Sequence, residues 1–152
     1  MKIGTLCYIK KNNKTLMLHR VKKENDMHKN KWNGLGGKLI PGESPEECVI
    51  REIKEESGLN IKTPSLKGII TFPKFDNIED WLVFVFTANQ FSGELIDSDE
   101  GNLKWIDNSD ILNLNMWEGD RIFIPWLNKN KLFSAKFYYS NNNYIKHEVI
   151  FY

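Results

Sequence analysis

Hydrophobic and polar residues alternate along several short stretches of the chain, which is the pattern of β-strands covered on one face. The stretch at 81–88 is apolar on both faces, so we expect it in the middle of a sheet. The two last stretches flank an asparagine-rich turn at 141–143, which predicts a hairpin. Together these patterns predict strands at 4–10, 14–20, 61–72, 81–88, 102–107, 131–139 and 144–152.

One segment between the strands has the markers of a helix at both ends. Ser44 suits the N-cap, Pro45 the first helical position, and Glu47 completes a capping box. Gly58 suits the residue that follows a helix, so the sequence predicts a helix at 45–57. Its apolar face is expected to consist of Val49, Ile50 and Ile53.

A second helix is predicted around 118–129, with Pro125 indicating either an early start or a kink. Its apolar positions are Ile122, Phe123, Trp126 and Leu127. Strands before and after a central helix favour an α+β fold, with a mixed sheet and helices packed on its faces.

The composition limits the classes of protein to consider. A length of 152 residues suits one domain, 1–152, and 41% hydrophobic with 27% charged residues is typical of a globular protein. The net charge of +1 offers no general attraction for nucleic acid, and no stretch has the roughly 20 apolar residues of a membrane span. Cys7 and Cys48 do not form a disulfide framework, and the N-terminal apolar run is too short for a signal peptide. We therefore expect a cytoplasmic protein.

Three glutamates crowd the end of the predicted first helix. Glu52, Glu55 and Glu56 share one helix face, where they repel one another, and the negative helix end disfavours the last two. Each effect costs a few tenths of a kcal/mol, up to about 1 kcal/mol for the helix dipole. A hard divalent cation such as Mg²⁺ would turn this repulsion into chelation, although a solvated acidic face is the alternative. A glycine-rich segment at 34–42 precedes the helix and would let the backbone approach a ligand closely.

The spacing of these residues resembles a known family motif. Gly37, Glu43 and the stretch Arg51-Glu-Ile-Lys-Glu-Glu-Ser-Gly-Leu59 match the Nudix box, G-x5-E-x7-R-E-U-x-E-E-x-G-U, where U is aliphatic, at all nine specified positions. The chain is similar to the MutT-like branch of Nudix hydrolases from about Thr5 to Phe151, including the segments at 31–39, 97–105 and 115–120. The resemblance implies the Nudix αβα sandwich, a mixed sheet between helices.

The resemblance also implies roles for the acidic residues. It implies Mg²⁺, with Mn²⁺ as a possible substitute, bound by Gly36, Glu52, Glu55, Glu56 and Glu100. The same four glutamates are the candidate catalytic residues, and Glu56, Glu55 or Glu100 would accept the proton of the attacking water. Glu43 and Arg51 are expected to lie behind them, with Arg51 fixing the carboxylate rotamers.

Substrate recognition is implied by residues farther along the chain. Trp117 matches a tryptophan that stacks on the purine, with a core tryptophan as the alternative, and Asn33 and Asp120 match residues that hydrogen-bond the base. The animal enzymes have two adjacent aspartates where this chain has Gly119 and Asp120, so half of that pair is missing. The three histidines have no metal-ligand spacing and are expected on the surface or in strands. Other positions expected to contact the substrate are Thr5, Arg20, Leu35, Gly36, Gly37, Lys38 (a phosphate contact or a solvated lysine) and Phe72 (a contact or plain core).

The expected function is Mg²⁺-dependent hydrolysis of oxidised purine nucleoside triphosphates such as 8-oxo-dGTP to the monophosphate and pyrophosphate, for sanitation of the nucleotide pool. The expected partner is a small-molecule nucleotide, with no nucleic acid or membrane, and the protein is expected to act as a monomer. One alternative is a Nudix hydrolase for another nucleoside diphosphate derivative such as ADP-ribose. Another is a nucleotide sensor without catalysis, although such domains usually lose glutamates of the box that this chain keeps.

Overall fold

Ten strands, two α-helices and two short 3-10 helices make up the fold in a computed structural model that describes residues 1–152. The strands are β1 (Lys2–Lys11), β2 (Lys14–His19), β3 (Trp32–Asn33), β4 (Asn60–Lys62), β5 (Ser65–Phe72), β6 (Trp81–Ala88), β7 (Gln90–Ser92), β8 (Asn102–Asp107), β9 (Phe133–Ser140) and β10 (Asn143–Phe151). The α-helices are α1 (Pro45–Ser57) and α2 (Glu118–Phe123), and the 3-10 helices are Asn108–Asn113 and Ile124–Asn128.

Eight of the strands form one mixed sheet in the order β10-β9-β5-β6-β1-β2-β3, with β8 also paired to β2. The β1–β6 and β5–β9 pairs are parallel and the others antiparallel. β6 lies between β5 and β1, which confirms the central position that its two apolar faces predicted. The predicted hairpin is also confirmed, since β9 and β10 pair around the asparagine turn.

The two faces of the sheet carry separate hydrophobic cores because successive strand residues point to opposite sides. On β1, Tyr8 belongs to one core while Cys7 and Ile9 belong to the other, and both cysteines are buried and free. α1 contributes Val49 and Ile53 to the second core, whereas α2 and the following 3-10 helix contribute to the first. Helices therefore cover both faces of a mixed sheet, and the expected α+β sandwich is confirmed.

The first helix has the predicted bounds and caps. Ser44 Oγ accepts from the Glu47 N–H at 3.1 Å, Glu47 Oε1 accepts from the Ser44 N–H at 3.2 Å, and Gly58 ends the helix. The predicted apolar face was wrong at one position, because Ile50 is 38% exposed and Cys48 is buried in its place. The buried face of α1 is centred on Val49, and Ile50 lies at the edge of that face.

Two other predicted elements are divided. The strand expected at 61–72 breaks at Thr63 and Pro64, and its first part, β4, pairs with β7 in a separate two-stranded sheet. Thr63 has a φ of 44°, which takes the backbone out of the extended conformation. The second helix ends at Phe123 and continues as the 3-10 helix Ile124–Asn128, because Pro125 cannot donate to an α-helical hydrogen bond.

The glycine-rich segment lies beside β1 and so places the loop next to α1. The Leu35 N–H donates to the Cys7 carbonyl and the Thr5 N–H donates to the Gly37 carbonyl at 2.8 Å. On its other side Asn33 pairs with Leu18 of β2. The chain contains no helix of the length and apolar character that crossing a membrane requires.

Candidate active site

A cavity of about 450 Å³ lies where the glycine-rich segment, β1 and α1 meet the loops around 20–31 and 72–75. It has an acidic end, formed by α1 and the glycine-rich segment, and an aromatic end, formed by residues from several loops and β9. The residues that line it are Gly4, Thr5, Leu6, Arg20, Met27, His28, Asn33, Gly34, Gly36, Gly37, Lys38, Glu52, Glu56, Phe72, Phe75, Trp81, Val83, Glu100, Trp117, Asp120 and Tyr139.

Glu56 is the most buried carboxylate at the acidic end. Its side chain is 9% exposed, and Oε1 accepts a single hydrogen bond from the Gly36 N–H at 3.2 Å. Burial raises the pKa of Glu56 to about 8, and the negative charges of Glu52 and Glu100 add to the effect. The carboxyl group is therefore poised to exchange a proton near neutral pH.

Arg51 holds two of the other carboxylates. Its Nε and Nη2 donate to the two oxygens of Glu43 at 2.7 and 2.9 Å, and its Nη1 donates to Glu52 Oε1 at 2.8 Å. The hydrogen bonds from Arg51 lower the pKa of Glu43 to about 2. Gly37 packs against Glu52 so closely that a Cβ atom there would lie 2.5 Å from Oε2. Glu52 is thus fixed from both sides, as the expected role of Arg51 requires.

Glu100 lies across the cavity, beside basic residues from the loop after β2. Its Oε1 accepts from Lys23 Nζ at 2.9 Å, and its Oε2 lies 3.6 Å from Arg20 Nη2. Arg20 is itself held by Asp26, which accepts from Nε at 2.8 Å. These contacts anchor the loop to the mouth of the cavity.

The donor set at this end suits a hard cation, although the side chains have not gathered around one point. No three His, Cys, Asp or Glu side chains of the chain are close enough together to hold a metal ion as they stand. Glu52, Glu56 and Glu100 nevertheless all line one cavity, and Glu56 is buried with only one hydrogen bond. Carboxylate oxygens are suitable ligands for Mg²⁺ or Mn²⁺, and the glycine backbone beside them leaves no room for a Cβ atom.

The structure does not bring every predicted site residue to the cavity. The Glu55 side chain is 61% exposed and lies 3.5 Å from Arg51 Nη1, and Leu35 is fully buried in the core beside Cys7. Thr5 is buried at the cavity wall, where its hydroxyl donates to the Gly37 carbonyl at 3.3 Å, and Lys38 is exposed at the rim.

Aromatic rings form the other end. Trp117 is 6% exposed and lines the cavity, so it is both a buried side chain and a cavity wall. Phe75 and Tyr139 meet it edge to face, with ring centroids 4.9 and 5.6 Å away. Phe72 packs on Phe75 at 5.5 Å and also lines the cavity. These edge-to-face contacts hold the Trp117 ring in a fixed orientation at the cavity wall.

His28 holds the indole of Trp117, which corrects its expected placement on the surface or in a strand. Trp117 Nε1 donates to His28 Nδ1 at 2.8 Å. Burial lowers the pKa of His28 to about 4, with Arg20 and Lys31 adding to the effect, so the imidazole is neutral and can accept this hydrogen bond. Lys31 Nζ lies 5.1 Å from the centre of the Trp117 ring.

Polar groups between the rings remain available to a ligand. Asn33 lines the cavity, and its Oδ1 is buried without a hydrogen-bond partner. Burial raises the pKa of Asp120 to about 7, against the opposing charges of Lys31 and Arg121. An aspartate in this state can accept or donate a hydrogen bond near neutral pH.

Several residues of the aromatic end were not indicated by the sequence. His28, Phe75 and Tyr139 come from three separate parts of the chain and have no motif spacing. The only pattern that could have found one of them is the alternation on β9, which puts Tyr139 on the same face as buried Phe137.

The two ends of the cavity could serve one elongated ligand. Oxygen donors and Arg20 and Lys38 at the acidic end suit a cation and phosphate groups, and the aromatic end suits a planar heterocycle with hydrogen-bonding edges. The arrangement is suited to metal-assisted attack of water on a phosphate that is attached to such a heterocycle.

Comparison with known proteins agrees with this description. The family model of the NUDIX domain matches residues 2–127. An uncharacterised Nudix hydrolase of Bacillus subtilis is 35% identical over 131 residues, covering 84% of this chain and 79% of the relative. An oxidized purine nucleoside triphosphate hydrolase of Danio rerio is 36% identical over 115 residues, covering 76% of this chain and 74% of the relative. A crystal structure of a mutator MutT protein from Bacillus halodurans superposes with a TM-score of 0.87 at 31% identity, covering 98% of this chain and 97% of that one.

Proposed function

The chain belongs to the Nudix family of hydrolases, and we propose that it hydrolyses oxidised purine nucleoside triphosphates such as 8-oxo-dGTP to the monophosphate and pyrophosphate. The observation that carries this proposal is the single cavity that joins the acidic end to the aromatic end. Relatives named as oxidized purine nucleoside triphosphate hydrolases support it. The proposal includes one domain spanning 1–152 that acts as a monomer in the cytoplasm on a small-molecule nucleotide, in sanitation of the nucleotide pool.

At the acidic end, Glu52, Glu56 and Glu100 would hold the divalent cation together with the Gly36 carbonyl, and Glu55 would need to turn inward to join them. The cation, Mg²⁺ or Mn²⁺, would supply positive charge at the phosphate oxygens and lower the pKa of water. Arg51 keeps Glu52 in place for this role by holding it against Gly37. Arg20 and Lys38 line the same end, where their positive charges would attract a negatively charged triphosphate.

Glu56 is our choice for the group that accepts the proton of the attacking water. It lies on the cavity wall, and in the metal-free protein burial raises its pKa to about 8. A bound cation would favour the carboxylate form, which is the form that accepts a proton. Glu55 is too exposed to share this environment, and Glu100 is half-exposed and paired with Lys23 through Oε1.

At the aromatic end, Trp117 would stack on the base while Asn33 and Asp120 hydrogen-bond its edge. His28 fixes the plane of the indole through Nε1, so the stacking surface is set before the base enters. The buried and unpaired Oδ1 of Asn33 would gain a donor from the base.

The test is a panel of substrates assayed with Mg²⁺. Release of pyrophosphate is followed for 8-oxo-dGTP and the four ordinary dNTPs. For ADP-ribose, the products are treated with phosphatase and the released phosphate is measured. We expect kcat/KM for 8-oxo-dGTP to exceed that for dGTP by about two orders of magnitude, because a base edge that complements buried polar groups discriminates strongly. We also expect EDTA to abolish turnover and Mg²⁺ to restore it. Equal rates for all dNTPs would reject the preference for oxidised bases, and faster turnover of ADP-ribose would replace the proposed substrate.

A further inference from the structure

Tyr139 is placed at the aromatic end in a way that Trp117, Asn33 and Asp120 do not explain. It projects from β9, lines the cavity and meets Phe75 edge to face at 5.1 Å between ring centroids. It also meets Trp117, at 5.6 Å between ring centroids and an interplanar angle of 88°. Two perpendicular contacts of this kind fix the ring, and so its hydroxyl group has a defined position.

The hydroxyl occupies the space that a side chain at position 119 would need. A Cβ atom built on Gly119 would lie 2.6 Å from the Tyr139 hydroxyl oxygen and 2.9 Å from Phe137 Cδ1. The Gly119 N–H donates to that same oxygen at 2.7 Å. Gly119 and Tyr139 therefore form one unit, in which the tyrosine supplies the polar group beside Asp120 and the glycine makes room for it.

This arrangement determines how the hydroxyl can interact with a ligand. Burial raises the pKa of Tyr139, with the charge of Asp120 adding to the effect, so the oxygen keeps its proton at neutral pH. The Gly119 N–H already uses one lone pair of the oxygen, and the Tyr139 O–H donates no hydrogen bond within the protein. The hydroxyl consequently presents a hydrogen-bond donor to the cavity.

We infer that Tyr139 is a specificity-determining residue whose hydroxyl donates to a carbonyl oxygen of the purine and so favours 6-oxopurines over 6-aminopurines. This inference rests on the proposed function, since it concerns the base of that substrate. A 6-oxopurine offers an acceptor at C6, whereas a 6-aminopurine offers a donor that would face the donor of Tyr139. Asp120 can take either role, so on its own it discriminates weakly between the two.

The experiment compares Tyr139→Phe with the natural protein in binding of two product-like nucleotides, 8-oxo-dGMP and 8-oxo-dAMP, by calorimetry in EDTA. These probes share the C8 oxygen and differ at C6, N1 and C2, and dIMP with dAMP provides a second pair that differs only at C6 and N1. The natural protein should bind 8-oxo-dGMP more tightly, and Tyr139→Phe should reduce that preference by about fivefold, the effect of one neutral hydrogen bond.

Tyr138→Phe is the matched control because it removes a hydroxyl from the next residue of β9, on the opposite face. Tyr138 lies between Lys136 and Lys146, each with Nζ 4.9 Å from its ring centre, outside the cavity. This variant should keep the full preference for 8-oxo-dGMP. A purely structural role of Tyr139 would weaken both nucleotides equally, so the ratio of the two Kd values separates the roles.

Two results would overturn the inference. One is an unchanged ratio in Tyr139→Phe with an intact far-UV spectrum and a cooperative melt. The other is equal binding of 8-oxo-dGMP and 8-oxo-dAMP by the natural protein. This second result needs no variant, so it tests the inference even if Tyr139→Phe fails to fold. Binding of a monophosphate needs no hydrolysis. If triphosphates are not turned over, the proposed function is rejected, but the ratio of the two Kd values still tests the role of Tyr139.

Discussion

The burial of Glu56 predicts that removing its charge stabilises the protein while it destroys the activity. The carboxyl group is 9% exposed, accepts one hydrogen bond, and has a pKa of about 8 instead of the ordinary 4.5. Between these two values the folded protein retains a proton that the unfolded chain has released. The free energy of unfolding therefore decreases as the pH rises from 4.5 to 8, and this contribution levels off above that range.

The size of the effect follows from the shift. Each pKa unit corresponds to about 1.4 kcal/mol, so the ionisable group costs roughly 3 kcal/mol of stability at pH 7 and up to about 5 above pH 8. Glu56→Gln has nearly the same shape, carries no charge at any pH, and keeps an oxygen that can accept from the Gly36 N–H. In the metal-free protein this substitution should raise the free energy of unfolding by about 3 kcal/mol at pH 7 and change it little near pH 4.5.

The assay is urea unfolding in EDTA at several pH values between 4.5 and 8.5, followed by tryptophan fluorescence and far-UV circular dichroism. Glu55→Gln serves as the control, because Glu55 is on the same helix with a 61% exposed side chain and should show no such pH dependence. Glu56→Gln should also lower kcat by about two to four orders of magnitude, as loss of a general base does.

Two outcomes would refute the reasoning about Glu56. If the stability difference between Glu56→Gln and the natural protein is the same at pH 5 and pH 8, the burial of the carboxylate does not disfavour its charge. If Glu56→Gln is folded and fully active, Glu56 does not accept the proton.

Three further substitutions test the rest of the cavity. A Cβ atom at position 37 would lie 2.5 Å from Glu52 Oε2, so Gly37→Ala should displace Glu52 and lower kcat about 100-fold. The circular dichroism spectrum should be unchanged. A normal kcat would show that the close contact between Gly37 and Glu52 is not needed. Arg51→Lys loses the paired hydrogen bonds to Glu43, so the Mg²⁺ concentration for half-maximal activity should rise by about tenfold or more. An unchanged Mg²⁺ titration would contradict the role of Arg51 in holding carboxylates. Trp117→Ala should raise KM by about tenfold or more while leaving the Mg²⁺ requirement unchanged, and an unaltered KM would mean that the base binds elsewhere.

The first helix shows which part of the fold the sequence can predict. Its bounds depend on Ser44, Pro45, Glu47 and Gly58, whose effects act within one or two turns, and the structure has the same bounds. Ile50 was misplaced because three apolar residues at 49, 50 and 53 define a face only after the position of the sheet is known. Local capping thus determines where the helix lies in the chain, and tertiary packing determines which side of it is buried.

The stretch at 61–72 shows what local patterns miss. Its residues suit strands throughout, but β4 pairs with β7 and β5 pairs with β6 and β9, in two different sheets. The partners come from distant parts of the chain, and side-chain alternation reports which face is buried without reporting which strand is the neighbour.

The two ends of the cavity differ in the same way. The positions of Glu52 and Glu56 at the acidic end were predictable because they share one helix, whose geometry sets their separation. The same spacing wrongly placed Glu55 there, since its side chain is 61% exposed outside the cavity. The aromatic end depends on where distant segments meet, so Gly119 looked in the sequence like the loss of half a recognition pair. In the folded protein its missing side chain admits the Tyr139 hydroxyl, which places a donor beside Asp120. On our inference, the departure from the family pattern at Gly119 is compensated by a residue 20 positions away, and only the three-dimensional contact distinguishes such an exchange from a loss.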